Sequence, residues 1–217
     1  MVSFTTKTPV VAEAGDEHVH VRLRTAPPLT LHGDAAWRTD GNSPVRISRD
    51  GATLFFSRYT PIGHTLRRRG SRDLCFSDTP VRVRLIGDPD PQVGKWLEAI
   101  WQPQGGPLRG WYHVEEPAPC PAALFVPHIA QAVSEDGGLT WQYGSEILRA
   151  PADQIDCSWQ NGFFAGGYGD LCVVADRSKR MLYIFFSSYH TDQGAQGVAV
   201  ARMPASSDPS ASDLDWW

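Results

Sequence analysis

The segment Ser134-Glu135-Asp136-Gly137-Gly138-Leu139-Thr140-Trp141 constrains the fold more than any other stretch of the chain. An aspartate followed by two glycines supplies a carboxylate for the amides of its own turn and two positions that accept positive φ without a Cβ clash. Trp141 then restarts a strand and covers the hairpin, so the segment reads as a tight connection between antiparallel strands. Such a turn fixes topology and carries no chemistry of its own.

The rest of the chain has the composition of short strands and many turns. Eight Trp, six Tyr and nine Phe accompany 20 Gly and 17 Pro among 217 residues, which predicts an all-β protein with enough length for a sizeable apolar core. With 24 acidic and 20 basic residues the net charge is -4, so nucleic acid is not an expected partner. The basic cluster Arg67-Arg68-Arg69, with Arg72 behind it, reads as a solvated loop, the alternative being an anionic sugar contact. Cys75, Cys120, Cys157 and Cys172 lack CxxC spacing, so free buried thiols are expected, with no metal site and no redox pair. Between Met1 and Arg22 the charges of Lys7, Glu13, Asp16 and Glu17 interrupt any apolar run, which reads as neither a secretory signal nor a membrane span. The expectation is a cytoplasmic chain with no membrane partner.

Residues 1–35 form a polar lead-in with one alternating run, His18 to Leu23, that suits an edge strand. His18 and His20 would share a strand face, but two ligands without a third make a poor metal site. From 36 to 204 a loose repeat follows, in which an acidic residue precedes an apolar strand, a turn and a second strand ending in aromatic residues. Its copies span about 37–86, 94–150 and 156–203, starting from Asp40, Glu98 and Asp170, and residues 205–217 are left as a polar tail. The first copy is expected to close with one strand, Val81 to Leu85. The spacing exceeds the roughly 40 to 45 residues of a minimal blade and leaves room for long loops, which usually line a binding face. Three blades cannot close a β-propeller ring, so the chain reads as truncated.

In a propeller the innermost strands converge on one axis. That geometry gathers Asp40, Arg58 and Tyr59, then Glu98, His113 and Glu115, then Asp170, Tyr189 and His190, around one funnel mouth. Glycoside hydrolysis needs one carboxyl group to protonate the leaving oxygen and another to activate water or attack the sugar, and a third can tune the first. The alternative is that each acid caps a strand; for Asp40, the adjacent Asn42-Ser43-Pro44 offers local bonds.

These residues resemble the five-bladed β-propeller glycoside hydrolases of the arabinofuranosidase, xylosidase and fructosidase type, and the turn at Asp136 resembles the Asp-box of sialidase-like propellers. The resemblance implies three blades of a five-bladed ring, a neutral carbohydrate as partner and substrate, and no cofactor beyond an optional structural calcium. In that group the acids opening the first three blades serve as base or nucleophile, pKa modulator and general acid, the places held here by Asp40, Glu98 and Asp170. Better-known members carry Asp and then Glu in the second and third blades, whereas this chain has Glu98 and then Asp170, so the roles do not transfer. The working assignment makes Glu98 and Asp170 the catalytic pair with Asp40 tuning. It gives substrate binding to His113, Glu115, Tyr189, His190, Trp111 and Arg58. Two other readings stay open: a noncatalytic carbohydrate-binding or structural propeller, in which Trp111, Tyr112 and Tyr168 stack on sugar, and a sialidase-like enzyme.

Overall fold

The computed structural model describes residues 12–14, 17–19, 39–58, 63–73, 76, 78–190, 196–205 and 214–216. The chain divides into two units, Met1–Ala36 and Trp37–Trp217. In the first, β1 (Ala12–Ala14) pairs antiparallel with β2 (Glu17–Val19). His20 to Leu23 of the expected edge strand lie outside the described residues, as do Trp37, Tyr59 and Cys75.

The second unit is built of three sheets of sequential antiparallel strands, the second of which also takes Arg84–Ile86 as a parallel edge strand. The first contains β3 (Val45–Ser48), β4 (Gly51–Arg58), β5 (His64–Gly70) and β6 (Val81–Arg82). β7 (Arg84–Ile86) leaves that sheet for the outer edge of the second, which runs β8 (Gly94–Trp101), β9 (Leu108–Pro117), β10 (Phe125–Ser134) and β11 (Thr140–Leu148). The third holds β12 (Tyr168–Ala175), β13 (Met181–Ser188), β14 (Gly197–Pro204) and β15 (Asp215–Trp216). Sequential meanders packed face against face are the architecture of propeller blades. No helix among the described residues is long and apolar enough to cross a membrane.

Packing between the sheets supplies the core. Phe55, Leu97, Leu108, Tyr112 and Trp141 fill the seam between the first and second sheets, and Trp111, Ile129, Leu148, Leu171, Ile184 and Met203 fill the seam between the second and third. β8 is buried along most of its length because it is the innermost strand of the middle sheet and has a neighbour on each face. That double burial takes in the charged Lys95 and Glu98 as well as the apolar Trp96, Leu97 and Ala99.

Four expectations change. The strand expected over Val81 to Leu85 is split: the Val83 amide donates to the Thr65 carbonyl at 3.0 Å, and the next amide, Arg84, donates to Leu139 at 3.0 Å in the other sheet. Adjacent residues thereby tie two sheets together. Arg67, Arg68 and Arg69 are not a loop but the middle of β5, where they pair with Phe55, Leu54 and Thr53. The guanidinium Nε atoms of Arg67 and Arg68 donate to the carbonyls of Gly137 and Asp78. The tail is not wholly unstructured, since Trp216 pairs with Ala201 and Asp215 forms an ion pair with Arg202 at 3.0 Å. A two-residue strand is too short to show any periodicity. Finally, Cys120 and Cys157 form a disulfide with Cα atoms 5.3 Å apart, and Cys172 is free but exposed. A pairing across 37 residues leaves no spacing signal in the sequence.

The β10–β11 turn closes as its residues imply. Asp136 Oδ1 accepts from the amides of Leu139 and Thr140 and from the Ser134 hydroxyl, while Oδ2 accepts from the Thr140 hydroxyl at 2.6 Å. Gly137 and Gly138 take φ of 70° and 89°. Trp141 is fully buried, donates to the Gly138 carbonyl at 3.2 Å and meets Phe55 edge-on at 5.9 Å, so the turn of one sheet is anchored on the next. Asp136→Ala removes an anionic acceptor from four donors and is expected to cost about 1 to 2 kcal/mol, discounted for its exposure, in urea unfolding at pH 7. An unchanged midpoint would show that the glycines alone hold the turn.

Candidate active site

Two of the three candidate acids sit at irregularities in innermost strands. Pairing of β8 with β9 slips between Leu97 and Ala99, leaving Glu98 as the extra residue, and pairing of β12 with β13 slips between Gly169 and Leu171, leaving Asp170. A bulge re-aims a side chain that strict alternation would commit to one sheet face. Asp170 has φ 39°, a left-handed backbone that costs a non-glycine residue energy and persists only where its surroundings enforce it.

Those surroundings are specific. The Asp170 amide donates to His113 Nδ1 at 2.9 Å, and His113 Nε2 lies 3.0 Å from Glu115 Oε1. An N–H aimed at Nδ1 requires a lone pair there, which places the proton of the neutral ring on Nε2, facing Glu115. Burial of His113 favours the neutral ring, but the bond and charge of Glu115, with Asp170 and Glu98 behind, outweigh it and leave the pKa above its ordinary value. The Tyr189 hydroxyl donates to Asp170 Oδ2 at 2.5 Å. Burial and that bond hold the Tyr189 pKa above the usual phenol range. A Cβ at Gly169 would collide with the His113 ring, so glycine is needed to bring β12 this close. The Asp170 carboxylate itself stays 61% exposed.

Glu98 is the opposite case, at 4% exposure. Its Oε2 accepts from the Leu171 amide at 3.2 Å and from Asn42 Nδ2 at 3.4 Å, while Oε1 lies over Gly41, where φ is 75° and a Cβ would strike the carboxylate. Asn42 also donates to the Leu171 carbonyl at 2.7 Å, so one side chain joins the start of the first sheet to the third. Burial pushes the Glu98 pKa up to about 7, the charge of Asp170 pushes the same way, and His113 with the Leu171 and Asn42 bonds opposes. Asp40 sits two residues before Asn42, exposed, its amide donating to the Ser57 carbonyl at 3.0 Å. Residues from all three sheets therefore meet around Glu98. β8 is tied to the first sheet as well, through the Leu97 amide and the hydroxyls of Ser57 and Thr65 at 3.2 and 3.3 Å.

Among the expected binding residues, Glu115 and Tyr189 adjoin this cluster and remain partly exposed. His113 belongs to it as a buried hub. Arg58 pairs with Thr39, the neighbour of Asp40, and His190 follows Tyr189 with its carbonyl accepting from Gln196. Trp111 is a correction: it is 0% exposed in the seam between the second and third sheets and offers no ring face to a ligand. Trp111 lies two residues from His113 and shares its face of β9, but there it is packed among Ile129, Leu148 and Leu171 in the core. Asn42 was legible only as a local cap, yet its bonds reach the other end of the chain. Phe164, which stacks on Tyr189 at 4.5 Å and lies 6.3 Å from His113, carried no sequence signal apart from being aromatic.

Two cavities among the described residues do not include the three acids in their lining. One, lined by His64, Arg82, Lys95 and Tyr112, lies between the first two sheets, and a smaller cleft lies before Glu115, Trp96 and Phe125. Glu116, His128 and Glu146 also converge, but Arg149 bonds both acids, at 2.8 Å to Glu116 and 2.5 Å to Glu146, and its guanidinium supplies the positive charge they require. Burial and Arg149 push the His128 pKa down to about 4.

No protein-family model and no curated protein sequence matches the chain. Among solved structures, it resembles a thermostable family-43 glycoside hydrolase with a TM-score of 0.50 and 18% identity over 81% of this chain and 56% of that one. An endo-arabinase from Bacteroides thetaiotaomicron VPI-5482 gives a TM-score of 0.49 and 18% identity over 73% of this chain and 54% of that one. The chain thus spans a little over half the length of these structures. The first likeness and the three meanders define the class: an all-β partial β-propeller of the kind found in family-43 glycoside hydrolases.

Proposed function

We propose that the chain carries the acid cluster of a glycoside hydrolase acting on a neutral carbohydrate. The observation that carries this reading is the meeting of residues from three sheets at Glu98, beside an exposed Asp170 held at φ 39° by His113 and Tyr189. Roles follow from exposure. Asp170 and Asp40 are the exposed carboxylates and act on the sugar, as the pair that donates a proton and attacks or activates water. Glu98, buried and with its oxygens committed to the neighbouring strands, is a positioning residue that sets the charge beside Asp170. This reverses the working pair drawn from sequence, because a carboxyl group at 4% exposure cannot reach a glycosidic oxygen without rearrangement. Glu115, Tyr189, His190 and Arg58 remain candidates for hydroxyl contacts.

The Cys120–Cys157 bond favours an oxidising compartment over the cytoplasm. The test of function is hydrolysis of 4-nitrophenyl α-L-arabinofuranoside, β-D-xylopyranoside and β-D-fructofuranoside by the purified chain. Turnover of one supports the enzyme. Sugar binding with no turnover of any would assign the noncatalytic alternative.

A further inference from the structure

Beyond Asp170 the aromatic side chains continue outward. Tyr189, which donates to Asp170, stacks on Phe164 with ring centroids 4.5 Å apart, and Phe164 adjoins Phe163 at 6.5 Å. Phe163 is 68% exposed, the second highest value among the exposed large apolar residues described. Lone exposed aromatics are ordinary on protein surfaces, but this one is held in place. The Asn161 carboxamide accepts from the amides of Phe163 and Phe164 at 2.7 and 2.9 Å and donates to the Phe164 carbonyl at 2.9 Å. Phe125 bonds the same segment from β10, donating to the Phe163 carbonyl and accepting from the Ala165 amide. The Cys120–Cys157 disulfide pins this loop to the one before β10, and Leu124, Val126, Ala165 and Trp159 pack beneath.

We propose that Phe163 is a stacking platform for one sugar ring of an oligosaccharide whose reactive bond lies at Asp170, an inference that rests on the glycosidase reading for its ligand class. A sugar ring presents a C–H face that is apolar and complementary to the negative face of an aromatic ring, and burying it against Phe163 removes apolar surface from water on both sides. Because the backbone that carries the ring is bonded in place before ligand arrives, little backbone ordering entropy opposes binding. Its position beyond the Tyr189–Phe164 pair assigns it to a ring flanking the one at Asp170, so it matters for chains and not for small glycosides.

The experiment measures Kd by calorimetry for arabinotetraose, xylotetraose and nystose, and kcat and KM for the corresponding 4-nitrophenyl monosaccharides, in the wild type, Phe163→Ala, Phe163→Trp and the Cys120→Ser/Cys157→Ser double variant. Phe163→Ala is expected to weaken the best tetrasaccharide about tenfold, an effect of stacking size, with monosaccharide kcat/KM unchanged within twofold. Phe163→Trp should restore affinity, and the double variant should lose part of it by loosening the loop. Unchanged tetrasaccharide affinity in Phe163→Ala overturns the platform even if the enzyme is active. Affinity that depends on Phe163 in a wild type without turnover keeps the platform and removes the glycosidase assignment. A wild type that binds none of the three sugars overturns the platform.

Discussion

Asp170→Asn is expected to lower kcat on the preferred 4-nitrophenyl glycoside by about 10² to 10⁴, the range for loss of one positioned acid or base. The substitution is chosen to leave everything else standing. The contact to His113 comes from the backbone amide of residue 170, and the Tyr189 hydroxyl can still donate to an amide oxygen. Asparagine also tolerates the left-handed backbone that the position imposes at φ 39°, which alanine does not. The thermal midpoint should therefore stay within a degree or two while turnover falls. Retention of a third or more of wild-type kcat would remove Asp170 from the chemistry.

Glu98 should make the stability of the protein depend on pH in the sense opposite to a salt-bridged carboxylate. Its pKa is pushed from 4.5 to about 7 in the folded state, first by burial and then by the charge of Asp170. Between those values the folded chain binds more protons at this site than the unfolded chain, so the contribution is complete below about pH 4.5 and is lost as pH rises through about 7. The shift corresponds to an upper bound of about 3 kcal/mol. E98Q keeps an oxygen for the Leu171 amide but has no proton to lose. Urea unfolding of both proteins at pH 4.5 and pH 8 should show the wild type losing on the order of 3 kcal/mol more than E98Q over that interval. Parallel curves would mean that Glu98 ionises as it would in water.

How much of this could be read in advance depends on the range over which each residue acts. Asp136, Gly137, Gly138 and Trp141 bond within their own hairpin, and the turn they imply is the turn observed. Three runs of strands, each ending in the next, were likewise legible from local alternation and turn residues. Where an interaction crosses between sheets, local pattern fails. Val83 and Arg84 are neighbours whose amides go to different sheets, and no periodicity distinguishes them. Trp111 and His113 are both aromatic members of one strand at buried positions, yet one packs in the core and the other holds Asp170. Cys120 and Cys157 become partners only because two loops fold over the same corner.

The candidate acids show the same division. Asp40, Glu98 and Asp170 were recognised as openings of successive repeats, but their sequence contexts gave no means of ranking them. Exposure ranks them: Glu98 is sealed beneath Gly41 and Leu171, whereas Asp40 and Asp170 face solvent. Glu98 and Asp170 both sit at bulges, so what separates them is the segment packed over each, and a bulge too depends on the partner strand as much as on its own residues.

By itself, then, the sequence determined the all-β class, the hairpin at Asp136 and the succession of meanders, because these follow from turn chemistry and from alternation within a few residues. Only tertiary structure decided which carboxylate is buried, which aromatic ring is core and which cysteines join. Those outcomes depend on dielectric, access and distance between segments far apart in the chain, and such quantities exist only once the sheets have packed.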